Sequence, residues 1–375
     1  MNSLGLIVKA TRQCNLRCTY CHDWRARSKP MPFNVLATLI KKAIETSSYQ
    51  RVDFIWHGGE PLLLGRKFFE KALLLQQKLK RKNQVIRNSL QTNGTLLNEE
   101  WCEFFTANNF HIGVSLDGPP ELHNRNRKYA SGKNSFEDVK RGIELLKRHQ
   151  VQFGVLMVLN HSALELEVKD LFEFFTSLGA KSFSFLPARP DNIVGENTGE
   201  VATPDYVNPE EFTSFMKRIF NYWYALDNPQ IQIREITSIT QMLMGGRANV
   251  CTLAGQCIGQ YFHVEANGDL YHCDKYLGDT SYFLGNIVRQ SFSDICTSEK
   301  ILALVENEKA NIARLQACPY FHFCNGGCPH DRYVAEKNYS NYDNTCCGQR
   351  DFIEHINSTI VADLTERSPA LLQSV

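Results

Sequence analysis

The chain lacks a charge excess of either sign: 41 lysines and arginines stand against 40 acidic residues in 375. A nucleic-acid binder shows a basic excess, so the balance argues against that class. Long hydrophobic runs are missing too. The apolar stretch at residues 4–8 ends at Lys9 and Arg12, too soon for a signal peptide or a membrane span. There is no low-complexity segment and no short-period repeat. Cysteine, by contrast, is plentiful: 13 residues, an odd number, in a chain too long for a disulfide scaffold. The thiols therefore read as metal ligands in a reducing cytoplasm. The length allows two or three domains around a large core.

Cys14, Cys18 and Cys21 follow that first apolar run in the spacing C-x3-C-x2-C. Three thiolates so placed can hold three corners of a cubane iron–sulfur cluster, which ordinarily takes four. The missing fourth leaves one iron open to a small molecule. A zinc site or three buried thiols are the plainer readings, but structural zinc prefers four closed ligands. The run resembles the signature of radical S-adenosylmethionine (SAM) enzymes. That resemblance implies a [4Fe-4S] cluster whose open iron binds SAM, and a 5′-deoxyadenosyl radical that removes a hydrogen atom from the substrate. Tyr20 matches an aromatic position near the adenine in that family; a core aromatic is the other reading.

Short apolar runs at about 4–10, 52–56, 86–91, 111–116, 152–159 and 182–187 alternate with amphipathic stretches at 35–46, 66–82, 99–108, 136–149 and 164–178. Asn98 reads as an N-cap, and Glu165 with Lys169 as an i,i+4 pair. The alternation implies parallel strands with right-handed crossovers, and six units suit a partial (β/α)6 barrel of the TIM type, an α/β fold. Polar and glycine clusters follow the strand ends: the cysteine loop, His57-Gly58-Gly59-Glu60-Pro61, Gln91-Thr92-Asn93-Gly94, Ser115-Leu116-Asp117-Gly118-Pro119, and Pro187 with Arg189. In parallel barrels that rim carries the active site.

Gly58, Gly59 and Glu60 resemble the family's GGE motif, which implies a place for the SAM ammonium. Thr92, Asn93 and Ser115 resemble polar positions of the SAM pocket. The segment from Asp117 through His123 and Arg125 to Arg127 resembles the DGP…H…R stretch of peptide- and sulfatase-modifying members. An arginine there could pair with the SAM carboxylate or with substrate; a surface ion pair is the alternative.

Cysteines return densely in the second half. Cys257, Gly268 and Cys273 fit C-x9–15-G-x4-C, Cys318, Cys324 and Cys328 fit C-x5-C-x3-C, and Cys346-Cys347 comes last. This resembles the SPASM extension of radical SAM enzymes, an α+β domain that binds auxiliary [4Fe-4S] clusters. By that resemblance a first auxiliary cluster takes Cys251, Cys257, Cys273 and Cys328, and a second takes Cys318, Cys324 and Cys346. The second is one thiolate short, because Leu315 stands where a cysteine is expected. Cys347, another donor or an open iron could fill the gap. Cys347 is the preferred source, on condition that the chain turns there; Gly348 makes a turn feasible. Asp274 directly follows Cys273, where sulfatase-maturating enzymes carry the catalytic base; a hairpin cap is the other reading. Cys102 and Cys296 sit among apolar residues and read as small core side chains.

The expected organisation is a radical SAM barrel over 1–205, a helical bridge over 206–248, a SPASM domain over 249–350, and a C-terminal helix and tail over 351–375. The main functional expectation is a radical SAM oxidoreductase that matures a ribosomally made peptide by oxidising or cross-linking a side chain. An anaerobic sulfatase-maturating enzyme, making formylglycine from cysteine or serine, is second. A non-catalytic iron–sulfur carrier is a third, of another class, and would need no SAM pocket. Expected partners are a peptide or protein substrate, an electron donor such as flavodoxin or ferredoxin, and a separate leader-binding protein, because the first strand begins near residue 4. Neither nucleic acid nor membrane is expected.

Overall fold

A computed structural model describes residues 3–21, 23–25, 28–46, 48–189, 205–248, 250–255, 257–276 and 279–367. Six parallel strands stand in sequential order: β1 (Ser3–Lys9), β2 (Arg51–Trp56), β3 (Val85–Thr92), β4 (His111–Ser115), β5 (Phe153–Leu159) and β6 (Ser182–Pro187). Each crossover carries a helix: Phe33–Glu45, Arg66–Leu79, Glu99–Ala107, Phe136–Arg148 and Val168–Ser177. The six expected strands and five helices are all present, with ends shifted by a few residues. Asn98 caps its helix by accepting the N–H of Trp101 at 2.9 Å. The Glu165–Lys169 pair does not form: the helix starts only at Val168, so Glu165 lies ahead of it, and Lys169 pairs instead with Glu173 at 3.8 Å.

The sheet does not end with the barrel. The two-residue β7 (Gln232–Ile233) extends the β6 edge, while β8 (Tyr261–Glu265), β9 (Asp269–Tyr271) and β10 (Phe283–Asn286) extend the β1 edge. The full order is β10-β9-β8-β1-β2-β3-β4-β5-β6-β7. Asn267-Gly268-Asp269, whose sequence is typical of a tight hairpin, joins β8 to β9, with Gly268 at φ +89°. β8 runs parallel to β1, which fixes Ile7 opposite His263 and Lys9 opposite Glu265. On the other side Val8 lies opposite Trp56.

Side-chain alternation then sorts the residues. Val52, Phe54 and Trp56 point to the helices, where Trp56 meets Phe68 and Phe69 edge-on at 5.8 and 5.5 Å. On the opposite face Lys9 and His57, at the C-terminal ends of β1 and β2, line one cavity. The bridge helix Pro209–Leu226 opens on a full capping box between Asn208 and Glu211. It packs on the C-terminal helix Arg350–Arg367. The expected tail beyond residue 367 lies outside the described residues.

Candidate active site

The rim clusters are brought together at the C-terminal ends of β1–β6. The cysteine loop is gripped from two sides. Glu60 donates its N–H to the Gln13 carbonyl at 2.8 Å. Its buried carboxylate accepts from the Leu62 N–H, the Thr92 hydroxyl and the Asn93 N–H at 3.0, 2.8 and 2.8 Å. Burial nevertheless pushes Glu60 up to about 7. Gly59 has φ +54°, and a Cβ there would stand 2.3 Å from the Gln13 carbonyl oxygen; a Cβ on Gly58 would strike the Lys9 side chain at 2.5 Å. Both glycines are therefore demanded by close approach to the cysteine loop and its strand. The Asn93 amide donates to Asn15 at 2.8 Å and points at Cys14 Sγ at 3.7 Å. Ser115 accepts from Gln91 at 2.9 Å.

On the other side Asp117 is fully buried, with both oxygens engaged. One accepts the Val158 N–H at 3.1 Å; the other accepts the Tyr20 hydroxyl at 2.6 Å and pairs with Arg127 Nε at 3.0 Å. Arg127 also covers the Tyr20 ring at 5.4 Å and reaches Cys18 Sγ at 3.9 Å. His123 is buried too and braces the same turn through the Asp117 N–H and Ser135. Arg125 is exposed and takes no part in this network.

Cys14, Cys18 and Cys21 lie close enough to influence one another's ionisation. Burial pushes them up to about 11, 11 and 12. Cys21, Tyr20, Lys9, Asp23 and His57 face a partly open cavity of about 330 Å³. Asp274 and Lys275 close it from the hairpin side, and Arg189, Arg234, His330 and Asp331 also line it. Lys9, only 2 % exposed, pairs with Asp23 at 2.8 Å. Burial opposes its charge, but Asp23 and Asp274 outweigh that and hold its pKa above the usual lysine value. Burial likewise works against the Asp274 carboxylate; the charge of Lys9, then His57 and His263, prevails and keeps it below the usual range. Asp331 joins Arg189 at 2.6 Å to Lys275 at 2.8 Å. Arg12 bridges Glu265 and Asp23, and Glu265 also contacts His263.

Three thiol groups stand apart along the chain. Besides the first, Cys251, Cys257, Cys273 and Cys328 influence one another, and Cys251 and Cys257 border a cavity of about 300 Å³. Cys324, Cys346 and Cys347 form the third group, close enough to influence one another's ionisation. Among the described residues, no three His, Cys, Asp or Glu side chains converge on a single metal ion. Cubane clusters do not ask for that, since each thiolate binds its own iron at a separate corner. The thiols are free, and Cys14 accepts the Leu16 N–H at 3.4 Å, the kind of bond that supports a cluster thiolate. The donor sets fit. Cys102 is buried, as expected; Cys296 is half-buried against the Tyr49 hydroxyl at 3.3 Å.

Residues 8–175 match the Radical SAM superfamily, and residues 251–329 match the iron–sulfur cluster-binding domain called SPASM. A cysteine-type anaerobic sulfatase-maturating enzyme of Clostridium perfringens is 32 % identical over 366 residues, 95 % of this chain and 96 % of that protein. The chain belongs to the radical SAM superfamily, in the family of the anaerobic sulfatase-maturating enzymes. A serine-type member from Bacteroides thetaiotaomicron is 34 % identical over 365 residues, 92 % of this chain and 86 % of that one. The structure of anSMEcpe with AdoMet and the Cp18Cys peptide bound superposes with a TM-score of 0.83 at 31 % identity, covering 97 % of this chain and 99 % of that one. The protein is thus a radical SAM enzyme with an α/β barrel and a SPASM domain. Its family uses SAM, a [4Fe-4S] cluster and auxiliary iron–sulfur clusters. No described helix is long and apolar enough to cross a membrane.

Sequence reading placed His57 on the rim without a role and missed Lys9, Asp23, His263 and Glu265 as site residues. Lys9 did carry a signal, as a charge ending an otherwise apolar strand. Asp117→Asn should destabilise the fold by about 3–5 kcal/mol in urea unfolding, because it leaves Arg127 buried without its counter-charge. Tyr20→Phe removes one hydrogen bond to the same carboxylate and should cost about 1.5–3 kcal/mol.

Proposed function

We propose that this enzyme oxidises the Cβ of a cysteine or serine in a sulfatase-type peptide segment to the aldehyde of formylglycine. Asp274 carries the reading: it faces the cavity into which Cys21 also points, as an anion held by Lys9. The resemblance along nearly the whole chain to enzymes named for this maturation supports it, so the second expectation from sequence moves ahead of the first. Ribosomal-peptide maturation remains the alternative, favoured by the departure at Leu315.

In this reading Cys14, Cys18 and Cys21 hold the SAM cluster, and Cys251, Cys257, Cys273 and Cys328 hold an auxiliary one. Gly58, Gly59, Glu60, Thr92, Asn93 and Ser115 form the SAM side of the rim. Asp117 and Arg127 fix Tyr20 and the loop. The bound cofactors supply the radical that takes a hydrogen atom from Cβ and accept the electron that the substrate sheds. The chain supplies the rest. Asp274 takes the proton of the substrate O–H or S–H. A weak base suffices, because loss of the Cβ hydrogen makes that neighbouring proton strongly acidic. The charge of Lys9 keeps the acceptor ionised through the neutral range, against the cost of burial. A thioaldehyde from cysteine then exchanges sulfur for oxygen with water and releases hydrogen sulfide. Arg189, Lys275 and Asp331 offer polar contacts to the peptide. A flavodoxin- or ferredoxin-type donor would reduce the enzyme, in a reducing cytoplasm. A separate leader-binding protein belongs only to the ribosomal-peptide alternative.

The test is anaerobic incubation with SAM, dithionite and a peptide containing the sulfatase maturation sequence. Serine should lose about 2 Da and cysteine about 18 Da, with fragment ions placing the change at that residue. Cross-links elsewhere, or no change in either peptide, would overturn the reading. The Cys14, Cys18 and Cys21 triple alanine variant should stop releasing 5′-deoxyadenosine while keeping iron elsewhere. Asp274→Asn should still release 5′-deoxyadenosine but form product about 10²–10⁴-fold more slowly; full product yield would make Asp274 a structural cap.

A further inference from the structure

The position three before Cys318 is Leu315, 1 % exposed and packed in the apolar core. A hydrocarbon cannot bind iron, yet three cysteines of the same region meet nearby. Gly327 donates its N–H to the Cys324 carbonyl at 2.8 Å and lies against Cys347, and the thiols of Cys324, Cys346 and Cys347 are close enough to influence one another's ionisation. Neighbouring side chains of an extended chain point apart, so adjacent cysteines can serve one site only where the backbone turns. Here it does: the Cys346 N–H donates to the Asp343 carbonyl at 3.2 Å, and Gly348 has φ +82°. The N–H groups beyond the turn point back at the sulfurs, Gly348 to Cys346 at 3.3 Å and Gln349 to Cys347 at 3.4 Å. N–H bonds of this kind stabilise cluster thiolates.

The place of Leu315 and that of Cys347 flank one turn. Gly326 and Gly327 both have positive φ, +83° and +69°. A Cβ on Gly326 would stand 3.5 Å from Leu315 Cδ1; a Cβ on Gly327 would stand 2.9 Å from Cys347 Cβ. The two-glycine turn thus touches the position that lacks a thiol on one side and the additional thiol on the other. Cys318 precedes the short helix Phe321–Cys324 that delivers Cys324. Cys346 and Gly348 also border a groove of about 610 Å³.

We propose that Cys347 replaces the missing ligand, so that Cys318, Cys324, Cys346 and Cys347 together hold a second auxiliary [4Fe-4S] cluster. Each thiol releases its proton as it binds iron. All four irons are then ligated by the chain, and this cluster has no open corner for a substrate. That conclusion is independent of the peptide on which the enzyme acts.

The test uses the full chain, purified and reconstituted anaerobically, with iron and sulfide analysis and electron paramagnetic resonance of the reduced and oxidised protein. Wild type should hold about twelve irons in three cubanes. Cys347→Ala should lose between about one and about four, according to whether a three-iron remnant survives. The signals of the other two clusters should persist and report an intact fold. Leu315→Cys added to Cys347→Ala should restore the lost iron. Cys347→Ser, of nearly unchanged size, should keep the fold and shift the spectrum of one cluster; it decides the matter if the alanine variant does not fold. About eight irons in wild type, or iron and spectra unchanged in Cys347→Ala or Cys347→Ser, would overturn the proposal. So would loss of the cluster in Cys346→Ala but not in Cys347→Ala.

Discussion

The buried ammonium of Lys9 is the point on which the site depends. It ends β1, inside the barrel, with strands on both sides. A charge so placed is tolerated only with partners, and those come from separate parts of the chain: Asp23 just beyond the cysteine loop, and Asp274 just beyond the β8–β9 hairpin. One cation thereby pairs directly beside the loop of Cys14, Cys18 and Cys21 and acts through its charge on the segment that carries the proposed base. Gly58 keeps the space it occupies, since any side chain there would strike its stem. Conversely, Lys9 is what keeps Asp274 an anion despite burial.

The two glycine pairs do comparable work beside different cysteine groups. Gly58-Gly59 lets one loop lie against the cysteine loop, and Gly326-Gly327 lets another lie against Cys347. Glu60 and Asp117 serve as buried knots: each collects hydrogen bonds from several rim loops and fixes their mutual positions. Much of what looks in the sequence like cofactor-binding polarity is thus also the internal bracing that holds the cofactor's thiols in place.

Local signals were legible. The strands of the barrel, the Asn98 cap, the Asn267-Gly268-Asp269 hairpin and the rim placement of the glycine clusters follow from periodicity and turn chemistry. The helix start at Val168 did not, because nothing apolar distinguishes residues 164–167 from the first turn. The inner charge network was invisible for a different reason. Arg12 and Glu265 meet across 253 positions, and only the parallel register of β8 on β1 brings them together. Arg125 and Arg127 look equivalent in sequence, yet one faces solvent and the other is buried on Asp117, a distinction set by where a single short helix ends.

The pairing of β8 with β1 also bears on how the molecule could be divided. In most barrels followed by a metal-binding extension, one would cut at the linker and expect two soluble halves. Here the cut would strip β1 of its neighbour and leave a row of unpaired N–H and C=O groups along an apolar strand, a template for edge-to-edge association. It would also leave Lys9 without Asp274 and Arg12 without Glu265. The barrel and the cysteine-rich region share one sheet, so they are a single folding unit, and an insertion or a fusion is better placed at the far β7 edge than between them.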